Sequence, residues 1–360
     1  MMHKPRLIII QSYSEVQVSS AASHSYELIQ ALKKNEMNVK IIKPEKKKSF
    51  MGSILFVKSI IKKLDEESDI IYTRSLRLAY ILSFSIINKR IPIIVEVNGI
   101  WSEEHGPRPI VRYLEKKALK KADKIITVAP QIAKYYIQQG QDKDKIHIIE
   151  NGVNIEKFKP IPNAKKELCD RLGIPVESPI ILFVGELYAW QGVDQLIHSM
   201  THLIKKVENA KLLIVGFGRE ELRLKSLTKK LGLNNNILFL GRKKHDDIPK
   251  IISASDVCVS LLSTSKFGSL KMWEYLACEI PVVATNIEGY QFIKTEKCGI
   301  LVNHCDVEDA AQAIFTIINN HESAEIMGKN GRNYILKGHT WDNTARKLDS
   351  VIHSLVNERQ

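Results

Sequence analysis

The chain has 360 residues, with 53 lysines and arginines against 40 aspartates and glutamates, a formal charge of +13. Hydrophobic residues make up 44% and prolines number only 12, which excludes extended disorder, while the length exceeds what one core serves and points to two domains. No apolar run approaches the roughly 18 residues of a membrane-spanning helix, and the first apolar segment, cut by Gln11, is too short for a secretory signal, so a cytosolic protein is expected.

In chain order, the first half alternates short β-branched runs with helical periodicity. RLIIIQS is followed by a helix from Ser23 to Lys34, then NVKIIKP, DIIYT, a helix from Leu78 to Asn88, PIIVEV, a helix from Val111 to Lys121, KIITVA and KIHIIE. Apolar runs without alternation, separated by helices, predict a parallel sheet covered on both faces, a doubly wound α/β domain. After NGVNIEKFKPIPN, whose segment from Phe158 to Ala164 holds two prolines and reads as a linker, the pattern restarts. PIILFVGE, a helix from Val193 to Lys206, KLLIVGFG, a helix from Glu220 to Leu231, NILFLG, a short helix IPKIISAS, DVCVSLL, a helix around Trp273, PVVAT and CGILVN predict a second sheet of the same kind. The tail WDNTARKLDSVIHSLV is apolar at helical spacing and can pack back on the first domain. Ligands of such sheets bind beyond the carboxyl ends of the strands, which directs attention to a cleft between two domains.

The basic excess favours an anionic partner: nucleic acid, a phosphorylated metabolite or a lipid headgroup. The runs Lys46–Lys48, Lys62–Lys63, Lys116–Lys117 and Lys120–Lys121 gather in the first half without the interleaved aromatics of single-strand binders, so they lean toward a membrane surface rather than nucleic acid. Five cysteines, at 169, 258, 278, 298 and 305, include no CxxC pair and fit reduced thiols better than disulfides or a zinc site.

The stretch FGSLKMWEYLACEIPVVAT, 267–285, is the most informative. Gly268 and Ser269 open a helix whose free amides and positive dipole end suit a phosphate, with Lys271 adding a full charge. The competing view makes Ser269 an ordinary cap and Lys271 a solvated first-turn residue, which is unfavourable for the dipole. Glu274 lies one turn on, where a carboxylate accepts hydrogen bonds from two vicinal hydroxyls; an intrahelical pair with Lys271 explains it equally well. The glycines of GFG at 216–218 either admit a ligand at a helix start or make a tight strand-to-helix turn, with equal weight. NGVN at 151–154 is first a turn former and secondly a ligand contact, and Asn98, Glu103 and Glu104 follow a buried strand of the first domain as exposed polar candidates.

Together, Lys271-Met-Trp-Glu274-Tyr-Leu-Ala with Ile280-Pro-Val-Val-Ala-Thr, Phe183-Val-Gly-Glu-Leu-Tyr-Ala-Trp-Gln-Gly-Val-Asp194, the Val215-Gly-Phe-Gly loop and the segment from Ile149 to Pro160 resemble the retaining glycosyltransferases of family 4. The resemblance runs over nearly the whole chain. It implies two Rossmann-like domains of the GT-B type, 1–157 joined by a returning helix 340–360, and 158–339. It implies a nucleotide-sugar donor such as UDP- or GDP-hexose on the second domain, a saccharide or lipid-linked acceptor on the first, and no required metal. The residues and the resemblance taken together put Lys271, Glu274 and Asn98 at the reacting centre and Gly185, Gln191, Gly216, Arg242, Lys266, Phe267, Gly268, Ser269 and Leu270 on the donor side, with Asn98, Glu103 and Glu104 facing the acceptor. Four positions depart from the family pattern. Lys266 stands where a glutamate is usual, Glu186 and Gln191 where an arginine and a lysine clamp the pyrophosphate, and Asn98 where a histidine is common. Phosphate neutralisation then falls to Lys271, with Lys266 second. An epimerase of the same architecture and a catalytically silent nucleotide-sugar-binding subunit are the alternatives.

Overall fold

The computed structural model describes residues 6–11, 20–43, 50–61, 69–85, 91–100, 109–263 and 270–358. The chain forms two compact units, Met1–Gly152 with Trp341–Gln360, and Val153–Thr340.

The first unit is a six-stranded parallel sheet of β1 (Arg6–Ile10), β2 (Asn38–Ile42), β3 (Asp69–Thr73), β4 (Ile93–Val97), β5 (Lys124–Thr127) and β6 (Ile146–Ile148), in the order β2-β1-β3-β4-β5-β6. Its central strands are apolar runs with almost no alternation, and β4 is buried along its whole length, as a sheet covered on both faces requires. The helices are α1 (Ser20–Lys34), α2 (Phe50–Ile61), α3 (Leu76–Ser85), α4 (Pro109–Lys121) and α5 (Pro130–Gln138). The chain's last helix, α14 (Trp341–Asn357), is part of this unit and packs along α1. It buries Trp341, Thr344, Ala345, Leu348, Val351, Ile352 and Leu355, one stripe at spacings of three and four, and each large aliphatic contributes about 1.5–3 kcal/mol. Polar ties fix its register: Thr344 Oγ1 donates to the Glu150 carbonyl at 2.9 Å and Lys34 pairs with Asp342 at 2.6 Å.

The second unit repeats the plan with β7 (Ile180–Val184), β8 (Lys211–Val215), β9 (Ile237–Gly241), β10 (Val257–Ser260), β11 (Val282–Thr285) and β12 (Gly299–Val302). All are parallel, in the order β12-β11-β10-β7-β8-β9. Its helices are α6 (Ala164–Leu172), α7 (Val193–Leu203), α8 (Glu221–Lys230), α9 (Ile248–Ser253), α10 (Leu270–Ala277), α11 (Phe292–Thr295), α12 (Val307–Ile318) and α13 (His321–Gly338). One core lies on each face of the sheet.

The segment expected as a linker lies within the second unit, and its two ends are core. Phe158 and Ala164 are each 1% exposed and belong to the cluster beneath α6, α9 and α10, because the prolines shape an ordered turn that carries those two apolar groups inward. Helices α2, α5, α6, α11, α12 and α13 are additions to the expected elements. Among the described residues no helix is long and apolar enough to cross a membrane.

Candidate active site

Strand order in the second unit reverses between β7 and β10, the point where open α/β sheets bind ligands beyond their carboxyl ends. Their ladder pairs only Ile181 with Val257 and Leu182 with Cys258, so the strands part before either ends. The hydroxyl of Tyr275, from α10, fills the divergence by accepting from the Val184 amide at 2.8 Å.

The loops leaving the two strands are tied together above that point. Gly192 has φ +67, and a Cβ there would lie 1.6 Å from the Leu261 carbonyl oxygen, so only glycine permits the approach. The Ser263 amide donates to the Trp190 carbonyl at 3.0 Å. Gln191, in the turn Ala189–Gln191, is thereby aimed inward and is 7% exposed.

Its partner is Lys271. The ammonium donates to Gln191 Oε1 at 2.7 Å and sits 4.1 Å from the centre of the Phe183 ring, and the side chain is buried, 8% exposed. No carboxylate pairs with it among the described residues, and burial lowers its pKa to about 7. A ring face and an amide oxygen are weaker compensation for a buried cation than a carboxylate. The first-turn lysine is therefore not the solvated group that one sequence alternative made it.

Glu274 does not pair with Lys271 either. Its Oε1 lies 3.1 Å from His245 Nε2, and the carboxylate is partly exposed. His245 sits just after β9, with its ring in a T-shaped contact with Phe158, and its Nδ1 faces Lys157 Nζ at 2.7 Å. Lys157 comes from the turn after NGVN, where Asn154 Oδ1 accepts from the amides of Glu156 and Lys157. Lys157 lies in the Ile149–Pro160 segment without being singled out there, and His245 carried no signal in the sequence, since the groups they meet are distant along the chain.

Of the other donor-side candidates, Gly185 places its Cα beside Lys271, the ammonium 3.4 Å from where a Cβ would stand. Gly216 has φ +143, and a Cβ there would meet the Gly185 carbonyl oxygen at 1.8 Å. The first glycine of GFG is thus needed for two loop backbones to touch. Arg242 is exposed and lies over the Phe217 ring at 4.9 Å; Glu186 is exposed and Leu270 half-buried. Lys266, Phe267, Gly268 and Ser269 lie outside the described residues, as do Glu103 and Glu104.

In the first unit, Asn98 follows β4 as an exposed residue and hydrogen-bonds Glu96. Glu96 is a buried carboxylate inside an apolar strand, a charge that sequence reasoning passed over although its setting marks it. It accepts from Arg74 Nε at 2.8 Å and from the Tyr72 hydroxyl. Burial opposes its ionisation, but the His24 ring, the Arg74 guanidinium and the hydrogen bonds from Tyr72 and Asn98 hold the carboxyl below its usual range. Burial pushes His24 down to about 4, so its imidazole is neutral near pH 7, with Nε2 donating to Asn151 Oδ1 at 2.5 Å. Asn151 of NGVN is thus engaged within the first unit.

The cysteines are free, four buried and Cys305 exposed. Burial raises the Cys278 and Cys298 thiols to about 12, which makes them packing groups rather than nucleophiles.

Residues 164–334 match the family Glycosyl transferases group 1, and residues 21–157 match Glycosyltransferase Family 4. An uncharacterized glycosyltransferase of Methanocaldococcus jannaschii is 28% identical over 246 residues, 67% of this chain and 61% of that protein. The UDP-Gal:alpha-D-GlcNAc-diphosphoundecaprenol alpha-1,3-galactosyltransferase of Escherichia coli is 27% identical over 311 residues, 84% of this chain and 78% of that protein. The match spans less than two thirds of the length of several curated relatives, 61%, 65% and 63% for three of them. The crystal structure of HepE from Anabaena in complex with UDP-glucose superposes with a TM-score of 0.80 at 19% identity, over 97% of this chain and 99% of that one, a likeness of fold. Two matched regions in order along the chain, on two parallel α/β units of the GT-B kind, make this protein a member of the family 4, group 1 glycosyltransferases.

Proposed function

We propose that the protein transfers a hexose from a nucleoside diphosphate sugar to a hydroxyl acceptor with retention of configuration at the anomeric carbon. The observation that carries this is Lys271, a buried lysine at the strand-order reversal whose partners are an amide oxygen and a ring. A diphosphate supplies the negative charge that such a group lacks. Glu274, one turn along and partly exposed, takes the vicinal hydroxyls of the donor ribose. The departing diphosphate accepts the acceptor's proton, so the protein's work is to orient the two substrates and to stabilise charge on the leaving group. Neutral Gln191, in place of the usual lysine, does not leave the site without a cation, because it holds Lys271 there.

For the acceptor we propose a lipid-linked saccharide at an anionic membrane surface. The first unit carries 29 Lys and Arg against 19 Asp and Glu, so 29 − 19 gives +10 of the chain's +13. Its α4 exposes Ile110 and Tyr113 together with Lys117 and Lys120. The relative named for a diphosphoundecaprenol acceptor supports the same class.

A thermal-shift screen of nucleoside diphosphate sugars identifies base and sugar together through ligand stabilisation, and product analysis with the selected donor follows. Lys271→Met is expected to lower turnover by about a hundredfold, the loss of one preorganised charge-stabilising group. Stabilisation by no such sugar, or a folded Lys271→Met variant with full turnover, overturns the proposal. Release of an epimer with no acceptor present assigns the alternative activity.

A further inference from the structure

Lys157, His245 and Glu274 form a line of hydrogen bonds that the reaction as proposed does not use. Lysine only donates. Its Nζ stands 2.7 Å from His245 Nδ1 and 2.6 Å from Asp246 Oδ1. An imidazole nitrogen that receives a hydrogen bond carries no proton, so the ring is neutral with its hydrogen on Nε2. That hydrogen points to Glu274 Oε1 at 3.1 Å. The Phe158 ring, 1% exposed, meets the imidazole in a T-shaped contact with centroids 5.3 Å apart, which restricts its rotation. Lys157 is placed in turn by Asn154, whose side chain caps its amide at 3.2 Å.

A carboxylate on a helix surface samples several rotamers, and fixing one costs conformational entropy. Here one oxygen of Glu274 is held from outside the helix, by a group whose tautomer is set by a third residue. No other side-chain partner of Glu274 is seen among the described residues. The carboxylate has about four lone-pair sites, so one taken by the imidazole leaves enough for two hydroxyls.

We infer that His245 and Lys157 are positioning residues that hold the Glu274 carboxylate in the orientation that accepts the two vicinal hydroxyls of the donor ribose. The inference rests on the proposed role of Glu274 in nucleotide-sugar binding. It also accounts for the turn after NGVN, which delivers Lys157 to the imidazole. Supporting partners of this kind affect affinity through geometry rather than by touching the ligand.

The test uses the full chain and titrates UDP, GDP and their 2′-deoxy counterparts by calorimetry. Wild type is expected to prefer the ribose form, and Glu274→Gln to lose that preference. His245→Leu is expected to reduce the preference about tenfold, the worth of one charge-assisted hydrogen bond, with little change in binding of the deoxy form. His245→Gln, whose amide donates to Glu274 and accepts from Lys157, is expected to restore it, and Lys157→Met to lower it. His245→Leu added to Glu274→Gln should have no further effect. Retention of the wild-type preference in His245→Leu or Lys157→Met, while Glu274→Gln loses it, overturns the positioning role and leaves the ribose contact standing. No ribose preference in wild type overturns both. His245 is about one-third exposed, so its replacement leaves the core intact, and unchanged melting of each variant confirms that the readout concerns the site.

Discussion

A lysine kept from water without a carboxylate partner has a pH signature. Burial lowers Lys271 to about 7, whereas in the unfolded chain it titrates near 10.4. Above the unfolded value the amine is neutral in both states and burial costs nothing through this group. Between the two values the unfolded chain binds the extra proton, so stability rises with pH from about 7 toward 10; below about 7 both states are charged and the cost is constant. A bound diphosphate favours the ammonium and raises the folded value. Nucleotide binding at pH 8 is therefore expected to draw a proton from solution. Titrating UDP or GDP at pH 8 in two buffers of different ionisation heat measures this as a difference in apparent enthalpy. Lys271→Met should abolish the difference, and its absence in wild type would remove the lysine from the anion site. The charge was visible in the sequence, but its burial was not, because the oxygen that receives it belongs to Gln191, 80 positions earlier.

At the scale of elements, the apolar runs that form β1, β4, β7 and β10 were readable because both faces of each sheet are covered, which leaves a run of β-branched residues between turns. Helix α13 was not. Its sequence HESAEIMGKNGRNYILKG looks like a turn-rich loop, yet a Cβ at Gly328 would stand 2.0 Å from the Glu279 carbonyl oxygen and one at Gly331 would lie 2.6 Å from Leu276 Cδ2. The glycines are there for close packing against the end of α10, a reason visible only once both elements are in place. Helix α2, FMGSILFVKSII, was hidden differently, since apolar residues nearly all round give no period to detect. One tie of α10 to the sheet is polar. Tyr275 is fully buried, and its hydroxyl serves the Val184 amide where β7 and β10 part. Tyr275→Phe leaves that amide unpaired and is expected to cost about 1–3 kcal/mol, read as a lower denaturant midpoint with unchanged slope. Because α10 carries Lys271 and Glu274, nucleotide affinity should fall as well. A variant as stable as wild type would show that water or a backbone shift satisfies the amide.

For the whole molecule, the unequal charge of the two units sets the last expectation. Near an anionic leaflet each basic residue contributes about 1 kcal/mol, fading within a Debye length, so a unit at +10 binds such a surface when its lysines lie on one face. On α4 the buried positions are Glu115, Ala118 and Leu119, which turns Lys116, Lys117, Lys120 and Lys121 outward with Ile110 and Tyr113. That pattern, apolar groups beside a lysine face, is the one by which interfacial helices lie in the headgroup region. Helix α2, joined to α4 through α3, adds exposed Leu55 and Lys58. The protein is expected to sediment with phosphatidylglycerol-containing vesicles in low salt, to be released as ionic strength rises, and to ignore neutral phosphatidylcholine. Reversing Lys116, Lys117, Lys120 and Lys121 to glutamate should abolish the association while leaving nucleotide-induced stabilisation unchanged, since the nucleotide residues belong to the other unit. Sedimentation with neutral vesicles as readily as with anionic ones would show that apolar contact alone, and not the lysine face, brings the protein to a membrane.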